Sequence, residues 1–329
     1  MQQQVGRPLV GPRQTIRGGE GVRAFGPGVA AAARFIAGRR WMRVFGLGLA
    51  LWLISLAVTK WTGDSIVIAS DVMLGAFLVP VTLAAWTFDR REGSELTGQR
   101  IVYALIVGGS LSMLATVPFE QWLVRGGPTG SLLVGLIEEA SKLLVVAAAS
   151  LGLHRYTLRD GIVLGAVVGC GFSAFESSGY ALNSLSTPSA FTDTPLGSLI
   201  QTEAIRSLMA PFTHGLWTAI GGGVLFSAAA RGWRLQRLPA VIGTYLLIAH
   251  LHAYWDSGTA LTRVVLLAMR HRGVNLVRLM SFTPVSAHVE RAIAFDSVWT
   301  AVVAASTAVA IGVLIILWRH GGPVPRPSL

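Results

Sequence analysis

The chain has 329 residues, of which 52% are hydrophobic and only 13% charged, and its mean hydropathy is +0.59. That composition excludes an ordinary soluble domain and indicates a polytopic membrane protein. The net charge of +11 does not indicate nucleic acid. The arginines lie mainly between and beside hydrophobic segments, with no nucleic-acid-binding motif.

Residues 1–40 are rich in Gly, Arg and Ala and read as a disordered basic tail without the apolar core of a cleavable signal. The region 41–320 reads as a transmembrane domain, and 321–329 as a short C-terminal tail. A helix needs about 20 apolar residues to cross about 30 Å of hydrocarbon. Eight segments qualify: 43–60, 65–88, 101–119, 131–153, 160–182, 207–228, 238–257 and 295–318. The expected fold is therefore an all-α bundle of about eight spans. Trp41, Trp61, Trp122, Trp233 and Trp318 fall beside segment ends, where an aromatic belt sits.

The positive-inside rule then orients the chain. The tail and the loops holding Arg90, Arg91, Arg100, Arg155, Arg159, Arg231, Arg234 and Arg237 are expected in the cytoplasm, whereas Ala181 to Glu203 contains no Lys or Arg. Both termini are thereby expected on the cytoplasmic side of the cell membrane. The loop 258–294 disagrees, because it would be external yet carries Arg263, Arg270, Arg272, Arg278 and Arg291; its Thr262–Met280 stretch suits an amphipathic surface helix.

The fourth segment, with Glu138, Glu139 and Lys142, is the costly one. At about 2.5 to 3.5 kcal/mol per central charge, these three cost roughly 8 to 10 kcal/mol. Its eleven Leu, Ile and Val residues return only about 0.3 to 0.6 kcal/mol each. The charged face must therefore turn inward. Lys142 lies four and three residues after the glutamates, on their side of the helix. A buried salt bridge would explain this segment taken alone.

Other segments add Glu176, His214, His250, His252 and Asp256. In the orientation above, Glu138, Glu176, His214 and His252 all lie roughly 7 to 12 Å below the outer surface, at 1.5 Å per residue. Four helices thus put ionisable groups in one layer, which indicates a shared site. His252 and Asp256 are four apart and share a helical face. With His214 and Glu176 they offer a nitrogen and oxygen shell for Zn2+ or another divalent metal, leaving Glu138 or Glu139 as general base on a water. A metal-free version needs the same residues, with glutamate activating water and His and Asp256 stabilising the oxyanion. Gly165, Gly169, Gly171 and Gly222 allow close helix approach. Asp71, Arg206 and His250 have no partner legible in the sequence, and Cys170 reads as a small packing residue.

The motifs Glu138-Glu139-x-x-Lys142, Phe172-x-x-x-Glu176, His214 with Gly222, and His252-x-x-x-Asp256 resemble, in order, the four motifs of the PrsW intramembrane proteases. That family is related to the CPBP group, which includes the type II CAAX prenyl endopeptidases. The resemblance implies a membrane-embedded peptidase of metallo- or glutamate type, in which Glu138 activates water beside Glu139 and Lys142 tunes the pair. It places Glu176, His252 and Asp256 in the site. It further implies a membrane protein or membrane-anchored peptide as substrate, an anti-sigma factor cut near the extracytoplasmic face being the family's characterised case. A proton- or ion-coupled transporter is the alternative for such residues at membrane depth. No halves repeat of the kind expected for one is evident, because the polar residues cluster in segments four to seven. A non-catalytic binding protein is a third reading, against which the intact acid and histidine set argues.

Overall fold

A computed structural model describes residues 39–90, 93–124, 127–187, 192, 194–231, 235–273 and 287–320. The expected tail over 1–38, the terminal 321–329, Trp233, and residues 274–286 of the Arg-containing loop lie outside the described residues. The described residues are helical with no strand: α1 Arg40–Thr62, α2 Ile68–Asp89, α3 Gly98–Leu123, α4 Gly127–Ala149, α5 Leu158–Ser184, α6 Pro195–Met209, α7 His214–Ala229, α8 Leu238–Asp256, α9 Gly258–His271 and α10 Ala287–His320. Within α3 the chain widens into a π turn over Ala104–Gly108.

Among the described residues, five stretches are long and apolar enough to cross a membrane: Arg40–Thr62, Ser65–Asp89, Gly98–Leu123, Leu158–Ser184 and Ser297–Arg319. The fourth, sixth and seventh expected spans correspond to α4, α7 and α8. Each falls short for a physical reason. Helix α4 carries three charges in its middle, α8 is diluted by His250, His252 and Asp256, and α7 has only 16 residues. The sixth expected span, 207–228, is in fact interrupted. Helix α6 ends at Met209, a 3₁₀ turn covers Ala210–Phe212, and α7 begins at His214 after Thr213 takes φ −116° and ψ −108°. His214 therefore stands at a helix start, not seven residues inside a continuous span.

Helix α5 is the hub: 72% of its most apolar window is buried, against 17% for α1. Its most extensive contact is with α7. Glycine makes that contact possible. A Cβ at Gly161 would meet the Gly222 carbonyl oxygen, one at Gly165 the Thr218 carbonyl, and one at Gly169 the His214 carbonyl. Gly171 faces the other way, against the Leu105 carbonyl in the π turn of α3. Across the site, Gly135 of α4 packs on the Ala249 carbonyl of α8, and the Tyr245 hydroxyl donates to the Leu136 carbonyl at 2.9 Å. Helix α6 is tied to α1, and the first two helices to each other. The Trp52 indole N–H donates to Glu203 Oε2 at 2.9 Å, and Asp71 accepts from Ser55 and Thr59 at 2.5 and 2.6 Å. Asp71 thus has two partners four residues apart on α1.

The amphipathic helix expected after α8 is present over Gly258–His271 and packs on α10. At the opposite end of the bundle, Glu95 accepts the backbone N–H of His154 at 2.9 Å and of Arg155 at 3.3 Å. The His154 N–H is the main cause holding the Glu95 carboxyl below its ordinary value of 4.5.

Candidate active site

The charged triplet of α4 points into the bundle. Lys142 is fully buried, with Nζ 2.7 Å from Glu139 Oε1, 3.2 Å from Glu138 Oε2 and 2.9 Å from His214 Nδ1. The ammonium also stands 4.2 Å over the ring of Phe172. One cation thus joins both glutamates to the start of α7, which offsets the burial of each.

The two glutamates differ in what they face. Glu139 is fully enclosed: besides Lys142 it meets His252 Nδ1 at 2.9 Å and the Thr218 hydroxyl at 3.5 Å. Glu138 lines a cavity of about 450 Å³ with Glu120, Glu176, Tyr180 and Asp256. Its Oε2 lies 3.6 Å from His252 Nε2 and 3.8 Å from His214 Nδ1.

His252 stacks on Trp217 at 4.8 Å, and its Nε2 lies 3.5 Å from Asp256 Oδ2. An Nδ1–H donated to Glu139 leaves the Nε2 lone pair turned toward Glu138 and Asp256, the carboxylate–histidine arrangement that orients metal ligands. His214 puts Nε2 3.1 Å from Glu176 Oε2, and the same oxygen takes the Arg206 guanidinium at 2.6 Å. Arg206 also donates to Ser177 at 3.2 Å and lies over Tyr180 at 3.9 Å.

All seven residues singled out in the sequence, Glu138, Glu139, Lys142, Glu176, His214, His252 and Asp256, therefore come together. The convergent metal donors are not the set first read, however. Glu138, His214 and His252, all buried, present atoms within 4.8 Å of one another, whereas Glu176 is occupied by Arg206. A tetrahedral ion with bonds of about 2.0 to 2.1 Å needs donors about 3.4 Å apart, close to the 3.6 and 3.8 Å measured to Glu138. The donors fit a divalent metal, in competition with Lys142 for His214 Nδ1. His250 stays outside, exposed and bonded to the Leu246 carbonyl.

Glu120 and Arg206 were not read as site residues. Glu120 stands one residue past the expected third span, outside the depth expected for Glu138, Glu176, His214 and His252, yet it lines the same cavity as Glu138 and Glu176. Its Oε1 is buried with no hydrogen-bond partner. Arg206 belongs through Glu176, 30 residues earlier, which no local spacing reveals.

A model described as the PrsW family intramembrane metalloprotease matches residues 95–289, more than half of the chain. The chain belongs to the PrsW family. The matched region holds every site residue above, and this PrsW member is a membrane protease. Comparison with curated proteins and with solved structures gives no match. The transporter alternative gains no support from the family match.

Proposed function

We propose that this PrsW protein is an endopeptidase that cuts a membrane-anchored substrate near the extracytoplasmic face, with Glu138 as the base that activates water. The observation that carries this reading is the division of labour between adjacent glutamates: Glu138 opens to the cavity while Glu139 is enclosed by Lys142, His252 and Thr218. A base must reach the water and substrate that enter the site, and Glu138 has that access. Glu139 then positions His252 and balances Lys142.

Glu138, His214 and His252 would hold Zn2+ or another divalent ion, which supplies Lewis-acid polarisation when bound. The glutamate-type chemistry of the CPBP and CAAX endopeptidases supports the same role for Glu138. The substrate class implied is a single-span membrane protein, an anti-sigma factor being the regulatory case. The roughly 450 Å³ cavity admits an extended peptide segment better than an intact helix, so the substrate helix must unwind where it is cut.

The test is cleavage of a single-span substrate in detergent by wild type, Glu138→Gln and Glu139→Gln, with bound metal measured in parallel. Glu138→Gln should abolish turnover. Glu139→Gln should keep a residual rate with impaired folding or metal retention. Wild-type turnover by Glu138→Gln would refute the assignment, and full activity after complete metal removal would eliminate the metal while leaving the base.

A further inference from the structure

A second cavity lies toward the other end of α5, beside Arg159 to Ala166. It encloses about 720 Å³ between α2, α5, α7 and α10, walled by Leu83, Ile162, Val163, Leu216 and Leu314. Arg90, Arg159 and Trp318 stand at its mouth, and Pro211 and Gly215 at its floor. Because Gly169 faces the His214 carbonyl, the floor sits about ten residues along α5 from Arg159, or roughly 15 Å at 1.5 Å per residue. That is half the roughly 30 Å hydrocarbon core, the depth of one leaflet.

The apolar walls suit flexible acyl chains. The mouth selects the headgroup. Arg159 lies in the first turn of α5, where that span enters the membrane, and its guanidinium stacks at 4.8 Å on Trp318 while its buried Nε has no hydrogen-bond partner. Arg90 stacks at 4.9 Å on Trp86 beside the end of α2. Stacking fixes the guanidinium plane and leaves its N–H edge for an acceptor. The mouth's two carboxylates are already engaged, Asp160 by Ser94 and Thr157 at 2.5 and 2.8 Å and Asp89 by Arg40 at 4.0 Å.

We propose that this groove is a binding site for an anionic phospholipid, with the phosphate on Arg159 and Arg90 and the acyl chains against α5, α7 and α10. Basic pockets between membrane helices hold acidic headgroups in this way. The occupant also bears on catalysis, because its chain ends press on Pro211 and Gly215, which flank His214. The lipid thereby supports the helix start that presents this histidine.

The full-length protein, exchanged into nanodiscs of equimolar phosphatidylglycerol and phosphatidylcholine, is released for native mass spectrometry. Wild type should retain phosphatidylglycerol at least fivefold over phosphatidylcholine. The Arg90→Gln/Arg159→Gln variant should lose that preference, and Ala166→Phe, which fills the groove, should lose retention of both lipids. Equal retention by wild type, preference surviving in the arginine variant, or displacement by millimolar inorganic phosphate alone would overturn the proposal. The readout is binding, so its failure and failure of the protease reading are separable.

Discussion

Replacing Lys142 by Met removes the one cation that joins Glu138, Glu139 and His214, leaving two glutamates buried at 4% and 0% exposure. Breaking a buried ion pair from one side costs about 3 to 5 kcal/mol, because the stranded charge keeps its desolvation penalty. With contacts of 2.7, 3.2 and 2.9 Å, the upper part of that range applies. For a chain of this size it lowers the unfolding midpoint by about 10 °C. Glu139→Gln alone strands the ammonium less severely, since Glu138 stays 3.2 Å away. The double variant Glu139→Gln/Lys142→Met removes both members of the closest pair, and should be more stable than the sum of the singles predicts by about 1 to 3 kcal/mol. The assay is thermal unfolding of the four proteins in one detergent, followed by tryptophan fluorescence. Additive losses within about 0.5 kcal/mol would refute the reasoning, as would a Lys142→Met protein as stable as wild type.

The same substitution frees His214 Nδ1 and a Glu138 oxygen for a metal; Lys142→Met should bind Co2+ or Zn2+ at least about tenfold more tightly, or about 1.4 kcal/mol, by calorimetric titration. Gly169→Val would drive a side chain into the His214 carbonyl; it should cost about 1 to 3 kcal/mol by overpacking and lower activity further. Gly179→Ala, in the same helix with nothing within 4 Å of its new Cβ, should stabilise by about 0.5 to 1 kcal/mol. Because the folded Glu95 carboxyl titrates below 4.5, its bonds to His154 and Arg155 contribute fully above pH 4.5 and are lost as pH falls below it. Amide exchange at His154 should accelerate over that acid range in wild type and be fast and pH-independent, apart from intrinsic chemistry, in Glu95→Gln.

What was legible in the sequence followed from cost. Glu138, Glu139 and Lys142 are so unfavourable in hydrocarbon that they had to face partners, and a common depth picked out Glu176, His214 and His252 without any contact being known. The same reasoning failed where a residue's meaning depends on a bend or on a distant partner. Nothing in the run Met209-Ala210-Pro211-Phe212-Thr213 fixes where the helix restarts, so His214 was read in mid-span, though Pro211 marks the weak point. The eight-span count met its difficulty in α4, α7 and α8, the helices that carry the site. Charged and histidine side chains make α4 and α8 poor membrane spans on their own, and α7 is too short, so these three rely on their neighbours in the bundle. Glycine at 161, 165 and 169 is what lets α5 hold α7 by backbone contact. The polar site and the glycine-lined hub are therefore one feature: a helix too short to span the membrane alone requires a neighbour close enough to hold it, and closeness at His214 is what sets its distance to Glu138 and Glu176.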